Sequence, residues 1–329
     1  MTRWGFYCKV IKYVNINFAA KGGIIVNRNI TLVLTMILLS SVLVFSACDD
    51  GNGGGNGEDV GEGEESIAEQ LDYELVGIES GASIMDLTEE VIDEYDLDYD
   101  LIDSSEAAMM AELDTVYGNQ EPIVVTLWDP HWAFAEYDLK YLDDPQEVFG
   151  EGEDIIFITR ENFEDDFEEV LGWMNDWKMD DDSLGPLMAT IEDKEDPVEG
   201  AQAWIDENQD LIDEWITDDE EVDGEGETIE IGYNQWAENV AVSNMWKLLL
   251  EEYNYEVELV DTEKAILYSG VADGELDIGM EVWIPYTDAQ YIDEYGDEFN
   301  KQDTWYEGAE LGLVVPTYMD DVESIEDLQ

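Results

Sequence analysis

Residues 228–283 of this 329-residue chain read TIEIGYNQWAENVAVSNMWKLLLEEYNYEVELVDTEKAILYSGVADGELDIGMEVW. Three short apolar runs within it, TIEIGY, YEVELVD and ELDIGMEVW, have the length and the β-branched content of strands. The two segments between them, Ala237 to Tyr253 and residues 263–272, have a helical pattern. Strands that alternate with helices are typical of an α/β fold, and this stretch predicts that fold class.

A similar series comes earlier in the chain. Residues 73–79 (YELVGIE) predict a strand, and Ser83 to Tyr95 predict a helix whose start is marked by a capping box of Ser83 and Asp86. A further strand, helix and strand run through SEAAMMAELDTVYG to PIVVTLW. Two α/β series with candidate ligand residues in both predict two lobes that close over a ligand cleft.

The boundaries of the lobes follow from the breaks between these series. A helical stretch at residues 161–217 and an acidic break, TDDEEVDGEGET, separate the two series. We expect one lobe at residues 67–135, with residues 318–329 returning to it, and the second lobe at residues 136–317.

Three tryptophans stand at the ends of the apolar runs: Trp128 in PIVVTLWDPHW, Trp236 in TIEIGYNQW and Trp283 in ELDIGMEVWIP. Ligand clefts of α/β folds open at strand ends, and aromatic faces attract cations. The three indoles are therefore predicted to form a cage around a small cation. Most tryptophans pack in a core, and four that occur in helical patterns are assigned to it: Trp173, Trp177, Trp204 and Trp215.

The charge of the chain excludes several functions. Five of the twelve basic residues precede Cys48, so seven basic residues face 85 acidic ones from Cys48 onward, a net charge of −78. Such a surface repels nucleic acids and anionic membranes. With 45% hydrophobic residues the chain is still expected to fold. We interpret the acidic surface as that of a halophile, because strong salt screens the repulsion. The acidic runs at 180–182 and 218–221 lack the spacing of a calcium loop, so no metal site is expected.

The N-terminus predicts export. ITLVLTMILLSSVLVF is too short for a typical membrane span and follows Arg28, which indicates a signal peptide over residues 1–47, with Val26 as an alternative translation start. The small residues before Cys48 resemble a lipobox, although Phe45 stands where Leu is usual, so Cys48 is the predicted site of lipidation. Residues 48–66 are rich in glycine and acidic residues and predict a flexible tether.

Several of these motifs together resemble the glycine betaine (quaternary amine) binding proteins of ABC importers. The resemblance extends from about residue 73 to residue 328 and rests on VGIESGASIM, SSEAAMMAEL, VVTLWDPHW, LKYLDDP, GYNQWAENVAVSNMWKLLLEE, GELDIGMEVWIP and LGLVVPTYM with SIEDL. It implies a two-lobed, type II periplasmic-binding-protein fold. The order of the motifs implies circularly permuted halves, because SIEDL at the end would ordinarily lead into VGIESGASIM.

The resemblance also implies how a ligand is held. Trp128, from one half of the chain, and Trp236 and Trp283, from the other, correspond to the cage. The backbone N–H groups of Ser83 and Ile84 correspond to the donors that hold the ligand carboxylate, a role that suits a helix N-terminus. Asp288 stands where some relatives have a histidine near the carboxylate. An ionised Asp288 would repel that group, so it points away, the ligand is held differently, or Asp288 is one more solvated acid.

The single histidine, His131 in WDPHW, is interpreted as a structural residue near the hinge, because no serine or cysteine nucleophile accompanies it in an activation motif. The sequence thus predicts a monomeric, lipid-anchored, extracytoplasmic protein without enzymatic activity or cofactor. It would capture glycine betaine or a related compatible solute for an ABC permease. Two alternatives stay open: a receptor that presents the ligand to a sensor, and an extracytoplasmic hydrolase.

Overall fold

The computed structural model describes residues 66–217 and 222–329. The predicted signal peptide, Cys48, the tether up to residue 65 and the acidic run at 218–221 lie outside the described residues. Within the described ranges, no helix has both the length and the apolar character needed to cross a membrane.

Helices and strands alternate along most of the described chain, as predicted. The helices are α1 (Ile67–Gln70), α2 (Ser83–Glu94), α3 (Glu106–Asn119), α4 (Ala133–Glu136), α5 (Phe163–Asp166), α6 (Glu168–Asp176), α7 (Asp181–Lys194), α8 (Pro197–Glu207), α9 (Gln209–Trp215), α10 (Ala237–Glu252), α11 (Lys264–Asp273) and α12 (Ala289–Tyr295). The strands are β1 (Glu74–Val76), β2 (Asp100–Ile102), β3 (Val125–Asp129), β4 (Leu139–Tyr141), β5 (Glu153–Arg160), β6 (Thr228–Tyr233), β7 (Glu256–Asp261), β8 (Ile278–Ile284) and β9 (Phe299–Pro316).

The strands form a mixed sheet in the order β2-β1-β3-β9-β5-β8-β6-β7, and β4 also pairs with β9. The pairs at both ends of the sheet are parallel, as helical connections require, whereas β9 is antiparallel to its neighbours β3, β4 and β5. The mixed α/β class predicted from the sequence is confirmed.

The 18-residue strand β9 joins the two halves of this sheet. Its first part, residues 299–309, pairs with β5, and its second part, from Glu310 onward, pairs with β3 and β4. One long strand therefore belongs to both lobes. The predicted lobe boundaries stay a prediction, and the pairing of β4 with β9 assigns residues 139–141 to the half of the sheet that contains β3.

The core contains the tryptophans that helical patterns assigned to it. Trp173, Trp177, Trp204 and Trp215 are all buried. Trp177 also stacks on Trp305 with ring centroids 4.5 Å apart and an angle of 9° between the planes. Burial of large aromatic surfaces stabilises the fold and opposes the repulsion between the many negative charges of the chain.

Helix α2 begins at Ser83 as predicted, but the predicted capping box of Ser83 and Asp86 is wrong. The N-cap residue is Ala82, and no side chain caps the first turn. Instead of bonding Asp86, the Ser83 hydroxyl donates to Asp288, 205 residues away. The segment that follows β1 packs closely against this helix, because a Cβ on Gly77 would lie 2.4 Å from the sulfur of Met85.

Candidate ligand-binding site

A small cavity of about 30 Å³ lies between the two halves of the sheet. Residues from both halves line it: Ile78, Ala82, Ser83, Ile84, Trp128, Trp236, Glu238, Lys264, Glu281, Trp283, Thr287 and Leu311. Five of the residues singled out from the sequence meet here, namely the three tryptophans and the pair at the start of α2.

The three tryptophans reach the cavity from separate elements. Trp128 lies on β3, Trp283 on β8, and Trp236 is the N-cap residue of α10. The rings of Trp128 and Trp236 meet at 62° with centroids 6.3 Å apart, which is an edge-to-face arrangement. All three side chains are buried, so their faces are shielded from water, and shielding strengthens cation–π attraction.

Each of these indoles donates its N–H to a glutamate. Trp128 Nε1 donates to Glu238 at 2.8 Å, and Trp283 Nε1 donates to Glu281 at 2.7 Å. Trp236 Nε1 donates to Glu79 at 2.6 Å. In the core, by contrast, the indole nitrogens of Trp177, Trp204 and Trp246 have no acceptor among the described residues. Glutamate oxygens thus hold the three indoles in place.

Two of these bonds cross the cleft in opposite directions. Trp128 comes from the half with β1, β2 and β3 and bonds to Glu238 on α10 of the other half. Trp236 precedes α10 and bonds back to Glu79, which follows β1. The two halves therefore exchange tryptophan and glutamate partners, and the structure describes a closed cleft.

A buried ion pair lies beside Trp236. Lys264 Nζ lies 3.0 Å from Asp288 Oδ2 and 4.8 Å from the centre of the Trp236 ring. Burial alone would lower the pKa of Lys264, but the charges of Asp288 and Glu281 outweigh it and the pKa is raised. Lys264 therefore stays a cation.

Asp288 is neither solvated nor free. It is 0% exposed, it accepts the backbone N–H of Trp283 at 2.8 Å, and it accepts the Ser83 hydroxyl at 3.1 Å. The interpretation of Asp288 as a solvated acid is wrong, because the carboxylate is enclosed by donors. Its charge is balanced by Lys264, which composition and spacing did not reveal.

The first two residues of α2 line the cavity. Ser83 and Ile84 are the first two helical residues, whose N–H groups have no intrahelical acceptor. No hydrogen bond from either N–H is found within residues 66–217 and 222–329. These donors and the helix dipole suit an anionic group.

His131 does not line the cavity but contacts Trp128, which does. Its Nδ1 accepts the N–H of Ala133 at 3.0 Å, and its Nε2 lies 3.1 Å from Glu106 Oε1. The other oxygen of Glu106 accepts the N–H of Ala237, the first residue of α10. His131 thus contacts a carboxylate that caps the helix after Trp236, in keeping with the structural role expected for it.

Reasoning from the sequence missed four charged residues at the cage. The sequence contains 85 acidic residues, and little in it distinguishes Glu79, Glu238 and Glu281 from the others. Lys264 is only one more charged residue near the predicted start of a helix. A signal was present for one of them: Glu281 and Trp283 are two apart on β8 and so lie on the same face of the strand.

The fold and the cleft define a class of molecule. Two α/β lobes share one long strand, and a small buried cavity between them combines aromatic faces with charged groups. The protein is a two-lobed solute-binding protein.

Comparison with known proteins identifies the family to which this solute-binding protein belongs. The family model for the substrate-binding domain of ABC-type glycine betaine transport systems matches residues 56–207 and 227–329, and the chain belongs to this family. The chain is also 32% identical to a glycine betaine/carnitine transport binding protein of Listeria monocytogenes serotype 1/2a (strain 10403S) over 301 residues, which cover 91% of this chain and 98% of that protein.

Two solved structures are also similar. Lactococcal OpuAC in its closed, liganded conformation with glycine betaine is 30% identical, with a TM-score of 0.40 over 45% of this chain and 59% of that one. A glycine betaine/L-proline-binding protein (ProX) from Borrelia burgdorferi is 28% identical, with a TM-score of 0.41 over 48% and 63% of the two chains. The matched part is less than two thirds of each solved chain.

Proposed function

We propose that this protein captures glycine betaine, or a close quaternary ammonium relative, outside the cytoplasm and delivers it to an ABC permease. The observation that carries the proposal is the meeting of Trp128, Trp236 and Trp283 at one buried cavity, each with its indole N–H held by a glutamate. A trimethylammonium group has no proton to donate, so aromatic faces and nearby negative charge are the means of recognising it.

The carboxylate end of the ligand has a separate place in this proposal. Ser83 and Ile84 line the same cavity, and their N–H groups offer two donors at the positive end of α2. Lys264 stands nearby as a buried cation and offsets Asp288, so Asp288 does not oppose the anionic end. A zwitterion with one cationic and one anionic end then finds a partner for each.

The energies are of the right order for a transport protein. Each desolvated cation–π contact contributes roughly 0.5 to 2 kcal/mol. At the upper end of that range three contacts contribute about 6 kcal/mol, and a helix N-terminus adds up to about 2 kcal/mol, which together match the total of about −8 kcal/mol that corresponds to micromolar affinity.

The setting of the protein is part of the same proposal. Lipidation at Cys48 would anchor a monomer to the outer face of the cell membrane, with residues 48–66 as the tether. The acidic surface fits an extracytoplasmic environment of high salt, in which a compatible solute is in demand.

Titration calorimetry in high salt with glycine betaine, carnitine, proline betaine and choline tests the ligand. We expect binding of glycine betaine in the micromolar range or tighter, and recovery of the ligand unchanged after prolonged incubation. Absence of binding to all four compounds would refute the proposal, and a hydrolysed product would favour an enzyme. Uptake of labelled ligand into vesicles that contain the cognate permease would separate delivery to a transporter from presentation to a sensor.

A further inference from the structure

Two glutamates at the cage are incompletely paired. Glu238 and Glu281 are fully buried and line the cavity, and each gives one carboxylate oxygen to a cage indole. The second oxygens, Oε1 of Glu238 and Oε2 of Glu281, have no hydrogen-bond partner among the residues that the structure describes. A buried polar atom without a partner is costly, so both atoms call for a partner.

One proton can pair the free oxygens of both glutamates. Their carboxyl groups are neighbours, and two neighbouring carboxylates repel each other unless a proton lies between them. Burial, followed by the charges of Glu281 and Glu106, raises the pKa of Glu238 well above its ordinary value. Burial also raises the pKa of Glu281, against the opposing charge of Lys264. A single shared proton would satisfy both unpaired oxygens and remove one of the two negative charges.

We propose that Glu238 and Glu281 provide the counter-charge of the cation subsite and hold a shared proton, which leaves for the solvent when a quaternary ammonium group enters the cage. The proposal rests on the proposed function, since it takes that cation as the ligand. A positive charge that cannot donate a hydrogen bond favours the ionised form of the pair beside it. Because such coupling is reciprocal, loss of the proton strengthens binding of the cation.

The other charged groups around the pair are already engaged. Lys264 on α11 and Asp288 before α12 form an ion pair. Glu106 on α3 is held by His131 and by the N–H of Ala237, and Glu79 is bonded to Trp236. The Glu238 and Glu281 pair is thus the site in the cavity wall where a proton is gained or lost without breaking an existing ion pair.

Calorimetry with glycine betaine and with choline in two buffers of different ionisation enthalpy tests this inference. The heat of binding should differ between the buffers, because protons released by the protein are taken up by the buffer. Above the ordinary pH range of a carboxyl group the Kd for both ligands should fall as pH rises, by up to about tenfold per unit where a full proton is released. Choline has no carboxylate, so a shared trend places the effect at the cationic end.

Glu238→Gln and Glu281→Gln identify the source of the proton. A glutamine oxygen still accepts the indole N–H, whereas the amide does not ionise. In either variant we expect the dependence on buffer and on pH to be lost and binding at high pH to weaken. Glu252→Gln, an exposed position on α10, is the matched control and should behave as wild type.

The outcomes separate this inference from the proposed function. Binding of both ligands with equal heats in the two buffers and a Kd independent of pH would overturn the shared proton while leaving the ligand assignment intact. Persistence of the pH dependence in both glutamine variants would assign it to another group and would also overturn the inference. If neither ligand binds at any pH, the proposed function fails and this inference fails with it. Calorimetry of the wild-type protein in the two buffers and across pH tests the shared proton even if a variant does not fold.

Discussion

The hydroxyl group of Ser83 donates a 3.1 Å hydrogen bond to Asp288, and this contact joins the first turn of α2 to the loop that follows β8. The same carboxylate is the counter-ion of Lys264. One buried aspartate thus connects the helix expected to hold the ligand carboxylate with the lysine beside the cage. Asp288, at a position where some relatives are expected to have a histidine, therefore has a structural role in the cleft.

Asp288→Asn should therefore destabilise the protein. The variant leaves Lys264 buried without its counter-ion, and loss of one partner of a buried pair costs about 3 to 5 kcal/mol. Thermal unfolding in high salt measures the effect, with the exposed Asp293→Asn on α12 as a control. The double variant Lys264→Met with Asp288→Asn should recover much of the loss. Equal melting temperatures for wild type and Asp288→Asn would show that the pair contributes nothing.

Loss of any cage tryptophan should weaken glycine betaine binding. Trp128→Leu, Trp236→Leu and Trp283→Leu each remove one aromatic face, and we expect about 1 to 3 kcal/mol of lost affinity, or about a 5- to 150-fold higher Kd. Trp177→Leu is the matched control in the core, where we expect a lower melting temperature and an unchanged Kd. Wild-type affinity in two of the three cage variants would remove the basis for the cage.

Asp129→Asn should stabilise the protein at high pH. Burial, followed by repulsion from Asp181 and Glu310, raises the pKa of Asp129 to about 6 in the folded protein, above its ordinary value of 3.8. The folded state therefore favours the protonated form, and this contribution to stability is lost as pH rises through about 6. The gain in free energy of unfolding on Asp129→Asn should grow from pH 4 to pH 8. Exposed Asp98→Asn should not show that trend, and a constant gain at Asp129 would contradict the shift.

Removal of salt should destabilise the whole protein. The net charge is −73 for the full chain, and the Debye length grows from about 3 Å at 1 M salt to about 30 Å at 0.01 M, so distant carboxylates begin to repel. Melting temperatures measured across this range should fall as salt is withdrawn. A melting temperature that is constant or rises would argue against adaptation to high salt.

Cys48→Ala should abolish lipidation, because the thiol is the acceptor of the lipid. We expect release of the protein from the membrane or accumulation of the unprocessed precursor. Mass spectrometry of the mature N-terminus provides the measurement. A mature wild-type protein that begins at another, unmodified residue would contradict the anchor.

The α/β class, most helices and strands, and the resemblance to the family follow from the amino-acid sequence alone. These features depend on local patterns: α2, whose apolar residues recur with clear helical periodicity, lies within one residue of its predicted ends. Helix α10, which is buried on most sides, matches its predicted ends equally well. The three tryptophans could be singled out for the same reason, since each directly follows or ends an apolar run.

Which charged residues belong to the cleft depends on how the chain folds. The capping box of Ser83 with Asp86 was a sound local expectation, yet Asp288 takes the hydroxyl because folding brings it to the same turn. Glu238, Glu281 and Lys264 have no sequence pattern that separates them from dozens of solvated charges. Their role depends on burial, and burial is set by contacts between residues far apart in the chain, where removal of water makes each pairing strong and each missing partner costly.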